Sequence, residues 1–375
     1  MPQPQLSSPT RSIGIAGWEH LDLVIVSALA SGLPILFVGG HGAAKTEGAR
    51  ALAAAILGDK LRWANYECPS VQMDDIIGFP DVAAVSRGTM AFAGLPMSIW
   101  NVNAVVFDEL TRASPTTAAK YLELIRTRKV YGIETPLEHV FSTANPPSRD
   151  YPEVHKIGLA MASRFVCVPT PRASELSEDE IVTATTSTLE GVWSWWPLAP
   201  ALEPMETILD IRKVCARLDI ELTVRQLKHL RALLGVSVAA AAVGCRRDAE
   251  TLTTLVRSCI PEASGLCART CDTTTLNTTL LAYFEEYLQT QMPPPEDWPA
   301  YFAAVSARIQ VCGNRNQAAV LEQQLPILKR MLGYHDDDVQ KLLEGIVPLL
   351  LKYPSDTLAA TPLRSIPDLL AQVLS

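Results

Sequence analysis

The chain has 375 residues, 48% of them apolar and 19% charged, with 27 prolines and a formal net charge of −8. That length fits two or three domains able to bury real cores, and the composition excludes a disordered chain. The acidic balance gives no overall basic footprint, so nonspecific duplex binding through phosphate neutralisation is not expected and nucleic acid is not the first partner.

Met1 to Trp18 is polar, lacks the apolar core of a signal peptide, and reads as a mobile N-terminal tail, residues 1–18. His20 to Ser31 repeats apolar residues at helical spacing until Gly32 and Pro34 break it, and Ile35 to Val38 is a strand-like apolar run. The most apolar window, Leu21 to Gly40, carries Asp22 and Pro34, so helix, turn and strand explain it better than a membrane span. A soluble cytoplasmic protein with no membrane partner is expected. A glycine-rich loop follows, Gly39-Gly40-His41-Gly42-Ala43-Ala44-Lys45-Thr46, and opens onto an alanine-rich helix, Lys45 to Leu57. Next come a strand near Leu61 to Asn65, a loop through Asp74 to Gly78, a glycine-punctuated segment to Met97, and the strand Ala104 to Asp108 with Glu109 beside it. A helix from Pro115 to Thr127, a hairpin around Gly132, and strands at His139 to Thr143 and Phe165 to Pro169 complete the pattern. Strands alternating with helices predict an α/β domain at 19–172, its mainly parallel sheet covered on both faces and its ligand at the strands' C-terminal ends.

After Pro171 only helices are predicted: Glu178 to Thr186, Pro204 to Leu218, Val224 to Gly244 and Asp248 to Cys259, a helical lid at 173–262. A further α-helical region, 263–375, starts near Thr273, is interrupted by Pro293-Pro294-Pro295, and continues through Pro299 to Ala307, Gln317 to Leu332 and Val339 to Tyr353. Trp193, Trp195 and Trp196 fit inter-helix packing better than a partner surface. The eight cysteines have no repeating spacing, and Cys267-x-x-x-Cys271 lacks both a second pair and a nearby histidine, so reduced structural thiols are expected. His335-Asp336-Asp337-Asp338 reads as the start of a helix.

The chemistry lies in three segments. The loop's backbone N–H groups and the helix start make a partly positive cradle for nucleotide phosphates, Lys45 adds a full charge, and the Thr46 hydroxyl suits Mg²⁺. Ala44 stands where the G-x-x-x-x-G-K-[ST] pattern has its last glycine, which is tolerable if that residue has helical φ, since only a positive φ penalises a Cβ. Asp108 is expected to hold Mg²⁺, and Glu109 to orient and polarise the attacking water, because adjacent residues at a strand end diverge. Asn145, at the end of the strand before Pro146, can bridge a γ-phosphate and water; a plain turn residue is the alternative. ATP and Mg²⁺ are the cofactors this set implies. No Asn-Lys-x-Asp base-reading motif occurs, which speaks against a GTPase.

The order Gly39…Lys45-Thr46, Asp108-Glu109-Leu110-Thr111-Arg112-Ala113, Thr143-Ala144-Asn145-Pro146, Tyr151-Pro152-Glu153 and Ala162-Ser163-Arg164-Phe165 resembles the MoxR branch of the AAA+ ATPases. Thr223-Val224-Arg225 with Leu227, Leu230 and Leu234, followed by Gly244-Cys245-Arg246-Arg247-Asp248, resembles that family's second-sensor helix and the turn beyond it. The resemblance covers about residues 15 to 262. It implies an AAA+ P-loop sheet with a helical lid, Asn145 as first sensor, Arg225 as second sensor, and Arg164 as a finger reaching a neighbouring subunit's γ-phosphate. Such a finger supplies on the order of 10³ to 10⁵ in rate. Arg112 is a weaker inter-subunit candidate, and local salt bridges are the alternative for Arg164 and Arg225.

The resemblance further implies ATP hydrolysis in a ring, a hexamer, that remodels or activates a protein client or adaptor, often of von Willebrand factor A type. The segment Gly78 to Gly94 takes the place of the family's pore-facing insert, where Met73, Phe79, Met90 and Phe92 either grip a client or are buried against the sheet. Residues 263–375 are expected to supply client specificity, with ring stabilisation as the alternative. A nucleotide-gated scaffold is the rival function. A nucleic-acid motor is disfavoured by the acidic balance and the lack of a basic aromatic platform.

Overall fold

The computed structural model describes residues 8–148, 154–198, 203–241 and 243–290. Tyr151-Pro152-Glu153, the triple proline, the helices expected after it, Cys312 and His335 to Asp338 lie outside the described residues.

The chain begins with one turn of helix, α1 (Pro9–Ser12), and a longer helix, α2 (Asp22–Ala30). Strand β1 (Ile35–Val38) leads through the glycine-rich loop into α3 (Lys45–Leu57), and β2 (Trp63–Glu67) follows. A short α4 (Met73–Ile77) precedes a hairpin, β3 (Phe79–Pro80), α5 (Val82–Ser86) and β4 (Phe92–Ala93), and then comes β5 (Ala104–Asp108). Helix α6 (Pro115–Thr127) runs into a second hairpin, β6 (Lys129–Val130) and β7 (Ile133–Glu134), before β8 (His139–Ala144), α7 (Leu159–Ala162) and β9 (Val166–Pro169). Beyond these lie α8 (Glu178–Thr186), α9 (Met205–Arg217), α10 (Val224–Ala241), α11 (Ala249–Ser258) and α12 (Thr273–Thr290).

The main sheet has five strands in the order β2-β5-β8-β1-β9, and every pairing is parallel. With helices on both faces and a helical region after it, this is the AAA+ type of α/β architecture that the resemblance implies. Strands β1 and β5 are apolar runs, β5 up to its terminal Asp108, because both faces are covered there, yet successive side chains still point to opposite sides. Ile35 and Phe37 join a cluster with α2, α3, α10 and α11, whereas Leu36 and Val38 join a second one with α4 and α6. Helix α6 starts where Pro115 occupies its first turn and Ser114 Oγ accepts from Thr117 N at 3.1 Å, which fixes the entry and satisfies an otherwise orphaned donor.

Several expectations change. Residues 8–18, expected within a tail, are packed: Ile13, Ile15 and Trp18 are buried in the first cluster. The Trp193 indole N–H donates to the Pro9 carbonyl at 3.2 Å, and Trp193 stacks on Trp195 with ring centres 4.7 Å apart, so the tryptophans pack as expected, though against this N-terminal segment as well. The loop expected at Asp74 to Gly78 is the helix α4, whose entry is held by Gln72 N donating to Asp75 Oδ2 at 2.8 Å. One apolar cluster joins the sheet face to α9, α10 and α11 across the boundary expected at 172–173. The stretch beyond 263 is tied to the same body, because Leu276, Leu280 and Phe284 of α12 are fully buried there and Leu266 and Cys267 enter the other cluster.

Among the described residues no cysteine forms a disulfide, and no group of three or more His, Cys, Asp or Glu side chains is gathered as a metal site. Among them too, no helix is long and apolar enough to cross a membrane.

Candidate functional site

The ladder between β1 and β8 pairs Val38 with Ala144, and one more bond, Gly39 N to Ala144 O at 3.1 Å, carries the loop's first residue beside Asn145. Only glycine fits at that point: a Cβ on Gly39 would stand 2.0 Å from Thr170 Oγ1. Past Gly40, exposed His41, Gly42 and half-buried Ala43, the chain turns into α3. Lys45 folds back over the loop, its ammonium donating to Gly39 O at 2.9 Å, Gly40 O at 2.6 Å and Asn145 Oδ1 at 3.0 Å. Burial pushes this ammonium below its usual range, and the Asp108, Glu109 and Glu47 carboxylates oppose that shift.

Ala44 departs from its expectation. It lies at φ 51°, ψ 27°, in the left-handed region, and not in helical backbone. The loop must reverse between Gly42 at φ 76° and the first turn of α3, and the last residue before Lys45 takes part of that turn. A Cβ there costs roughly 1 kcal/mol that a glycine would not incur.

Strand β5 delivers the two acids differently from a simple strand end. Asp108 accepts from Thr46 Oγ1, which lies 3.0 Å from both of its carboxylate oxygens. Thr143 Oγ1 of β8 also donates to Asp108 Oδ1 and accepts from Glu109 N at 2.9 Å. Glu109 itself is at φ 53°, also left-handed, and its Oε2 accepts from the Arg112 guanidinium at 2.5 Å. Both partners of that ion pair are about one-third exposed, so it contributes little stability, but it sets where the Glu109 carboxylate points. Thr46 and Asp108 present only oxygen donors, the hard set that Mg²⁺ prefers, and their mutual contact gathers that set at one point.

Arg225, on the first turn of α10, donates to Ser163 Oγ at 3.0 Å, and not to the phosphate loop. This puts it next to Arg164, whose guanidinium donates to Ala160 O while its buried Nε lacks a partner. Burial, then the nearby charges of Arg225 and Arg126, push Arg164 below its usual range. Among the described residues no carboxylate pairs with any of these three arginines. The third, exposed Arg126 near the end of α6, has no signal in the sequence, since only the fold brings it towards Arg164.

Beside the loop lies a cavity of about 310 Å³ lined by Gly17, His20, Thr170, Pro171, Leu176 and Arg257. Thr170, the residue that excludes a side chain at Gly39, joins it to the phosphate cradle. On the β3–β4 hairpin Phe79 is 66% and Met90 53% exposed, whereas Phe92 is half-buried between Trp100 and Tyr131, with ring centres 5.4 and 6.1 Å away. Met73 packs against the second apolar cluster.

No family model matches this chain, and no curated protein matches it either. Among solved structures it is similar to a crystal structure from Cytophaga hutchinsonii described as a "putative ATPase", at 14% identity and a TM-score of 0.45, over 73% of this chain and 91% of that one.

Proposed function

We propose that the protein is an ATP-hydrolysing AAA+ protein of MoxR type. One observation carries this reading: Lys45, Thr46, Asp108 and Asn145, from three separate segments, meet by direct hydrogen bonds at the C-terminal ends of β1, β5 and β8. Lys45 and the loop amides bind the polyphosphate, exchanging the lysine's carbonyl partners for phosphate oxygens. Thr46 and Asp108 hold Mg²⁺, which when bound neutralises charge developing on the phosphates. Glu109 orients the attacking water once its carboxylate leaves Arg112, and Asn145 holds the γ-phosphate end of the site. The cavity at Gly17 and His20 receives the base.

Ring assembly, probed through Arg164 and Arg225, and action on a protein client or adaptor, of von Willebrand factor A type and reached through exposed Phe79 and Met90, belong to the same proposal. A nucleotide-gated scaffold with little turnover is the second reading, favoured by the Glu109–Arg112 pair, which occupies the carboxylate that catalysis needs. Purified protein is assayed for nucleotide binding and phosphate release. Lys45→Ala should abolish binding, while Glu109→Gln should bind normally and lose turnover. Phosphate release by Glu109→Gln equal to wild type removes the water-orienting role, and no release from wild type, client present, selects the scaffold.

A further inference from the structure

We propose that Thr143 is a positioning residue that sets both acids of the site through one hydroxyl, an inference that rests on the hydrolysis reading above. The β5–β8 register ends with Phe107 opposite Ser142, so Asp108 and Thr143 are the next pair along. Thr143 is buried, 1% exposed. Its hydroxyl has a single proton and two lone pairs, and the surrounding groups leave one way to use them. The Glu109 backbone N–H can only donate, so at 2.9 Å it takes a lone pair of Thr143 Oγ1. The hydroxyl proton is therefore directed to Asp108 Oδ1, which accepts it.

On its other side Asp108 accepts from Thr46 Oγ1. The metal-suited carboxylate is thus held between two hydroxyls, and of these Thr143 alone also holds Glu109. Glu109 lies just past the end of β5, and Thr143 gives its N–H an acceptor. The orientation of the metal-holding acid and that of the water-orienting acid are coupled through Oγ1. Removing this oxygen frees both at once, whereas removing only the methyl leaves the coupling in place.

The test compares Thr143→Val, which keeps the branched shape without the hydroxyl, with Thr143→Ser, which keeps the hydroxyl. Three quantities are read on the full chain: the Mg²⁺ dependence of binding of a fluorescent ATP analogue, steady-state turnover, and the amide ¹H–¹⁵N resonance of Glu109. Thr143→Val should raise the Mg²⁺ concentration for half-maximal binding and lower kcat, each by about 10- to 100-fold, with KM for nucleotide changed far less. It should also move the Glu109 amide resonance, and Thr143→Ser should stay close to wild type in all three. A Thr143→Val protein with wild-type Mg²⁺ dependence, or a Thr143→Ser protein as impaired as Thr143→Val, overturns the proposal. Should Thr143→Val fail to fold, Thr143→Ala against Thr143→Ser makes the same comparison, and equal Mg²⁺ dependence in those two overturns it. If no protein of the series, wild type included, releases phosphate while Mg²⁺-dependent binding still separates Val from Ser, the hydrolysis reading fails and the coupling by Thr143 stands.

Discussion

Arg225 donates to Ser163 Oγ at 3.0 Å, one residue from Arg164, so the two arginines singled out as sensor and finger are neighbours on one surface. Lys45 instead spends its hydrogen bonds on the loop and on Asn145. Like charges gathered without carboxylate partners are costly unless an anion arrives, and in the ring proposed above that anion would be the polyphosphate on a neighbouring copy.

The first prediction follows from that pairing. Arg164→Ala and Arg225→Ala should each lower turnover by at least about 10²-fold while nucleotide binding persists. Mixing Arg164→Ala with Lys45→Ala subunits should restore part of the activity, because a hybrid interface joins an intact phosphate loop to an intact finger. Subunit exchange is first demonstrated with labelled protein. Given exchange, absence of recovered turnover at every ratio counts against a residue acting across an interface.

The second prediction concerns Ala44. Its left-handed backbone suits glycine, which carries no Cβ to clash but loses more freedom on folding. Ala44→Gly should therefore stabilise the protein by about 0.5 to 1 kcal/mol, and Ala44→Val should destabilise it by more than that. Denaturant midpoints measure both. Equal midpoints for Gly and Val at this position would mean that the loop relaxes to another backbone.

The third prediction is a pH dependence. Burial pushes the Asp22 carboxyl up to about 7, against hydrogen bonds from Ser8 and Thr10 that pull it down. Folded, the group keeps its proton to that pH; unfolded, it releases it near 3.8. Folding therefore takes up a proton in between, and this group's contribution to stability falls as pH rises from about 4 to about 7, by at most about 1.4 kcal/mol per unit. His139 and His229 act oppositely: burial, with Arg128 and Arg225 respectively beside them, pushes both down to about 4, so stability rises with pH up to about 6.5. The opposing slopes mask each other in the wild type. The difference between wild type and Asp22→Asn isolates the carboxyl, and it should shift against the wild type at each step through about pH 5, 6 and 7. A difference that is constant with pH would show that Asp22 is ionised in the fold.

Local signals made much of this molecule legible. Helices α3 and α6 have the predicted bounds, because a glycine-rich turn and Ser114-Pro115 mark their starts and apolar spacing does the rest. Strand β5 stands out because an apolar run ends in two acids. What escaped depends on partners distant in sequence. Residues 8–18 look polar, yet Trp193 fixes them from 184 positions away, and no local window contains both sides of that contact. Five residues of α4 are too few to display a helical period. The left-handed backbones of Ala44 and Glu109 have no compositional mark, since neither residue type favours that region. Thr143 was in view as part of a motif, but its role needed the register of β5 against β8.

The last prediction concerns α12, which the sequence places at the start of a separate region and the packing ties to the body. Phe284 is fully buried, meets Tyr283 and Tyr287 edge-on with ring centres 5.1 and 5.8 Å away, and sits in the cluster shared with α9 and α11. Tyr287 donates to Glu203 Oε1 at 2.7 Å, which fastens the same helix to the segment before α9. Phe284→Ala should therefore cost about 3 to 5 kcal/mol of stability, with nucleotide affinity unchanged below the transition. A chain cut after Ala263 loses Leu266, Cys267, Leu276, Leu280 and Phe284 together, opening both apolar clusters, and should not fold cooperatively. One ending at Thr290 retains all of these contacts and should bind nucleotide, which makes it the truncation suited to asking whether residues beyond 290 recruit a client. Calorimetric melts of Phe284→Ala and of the two truncations decide the matter, and a cooperative transition in the chain cut after Ala263 would show that α12 is dispensable to the body.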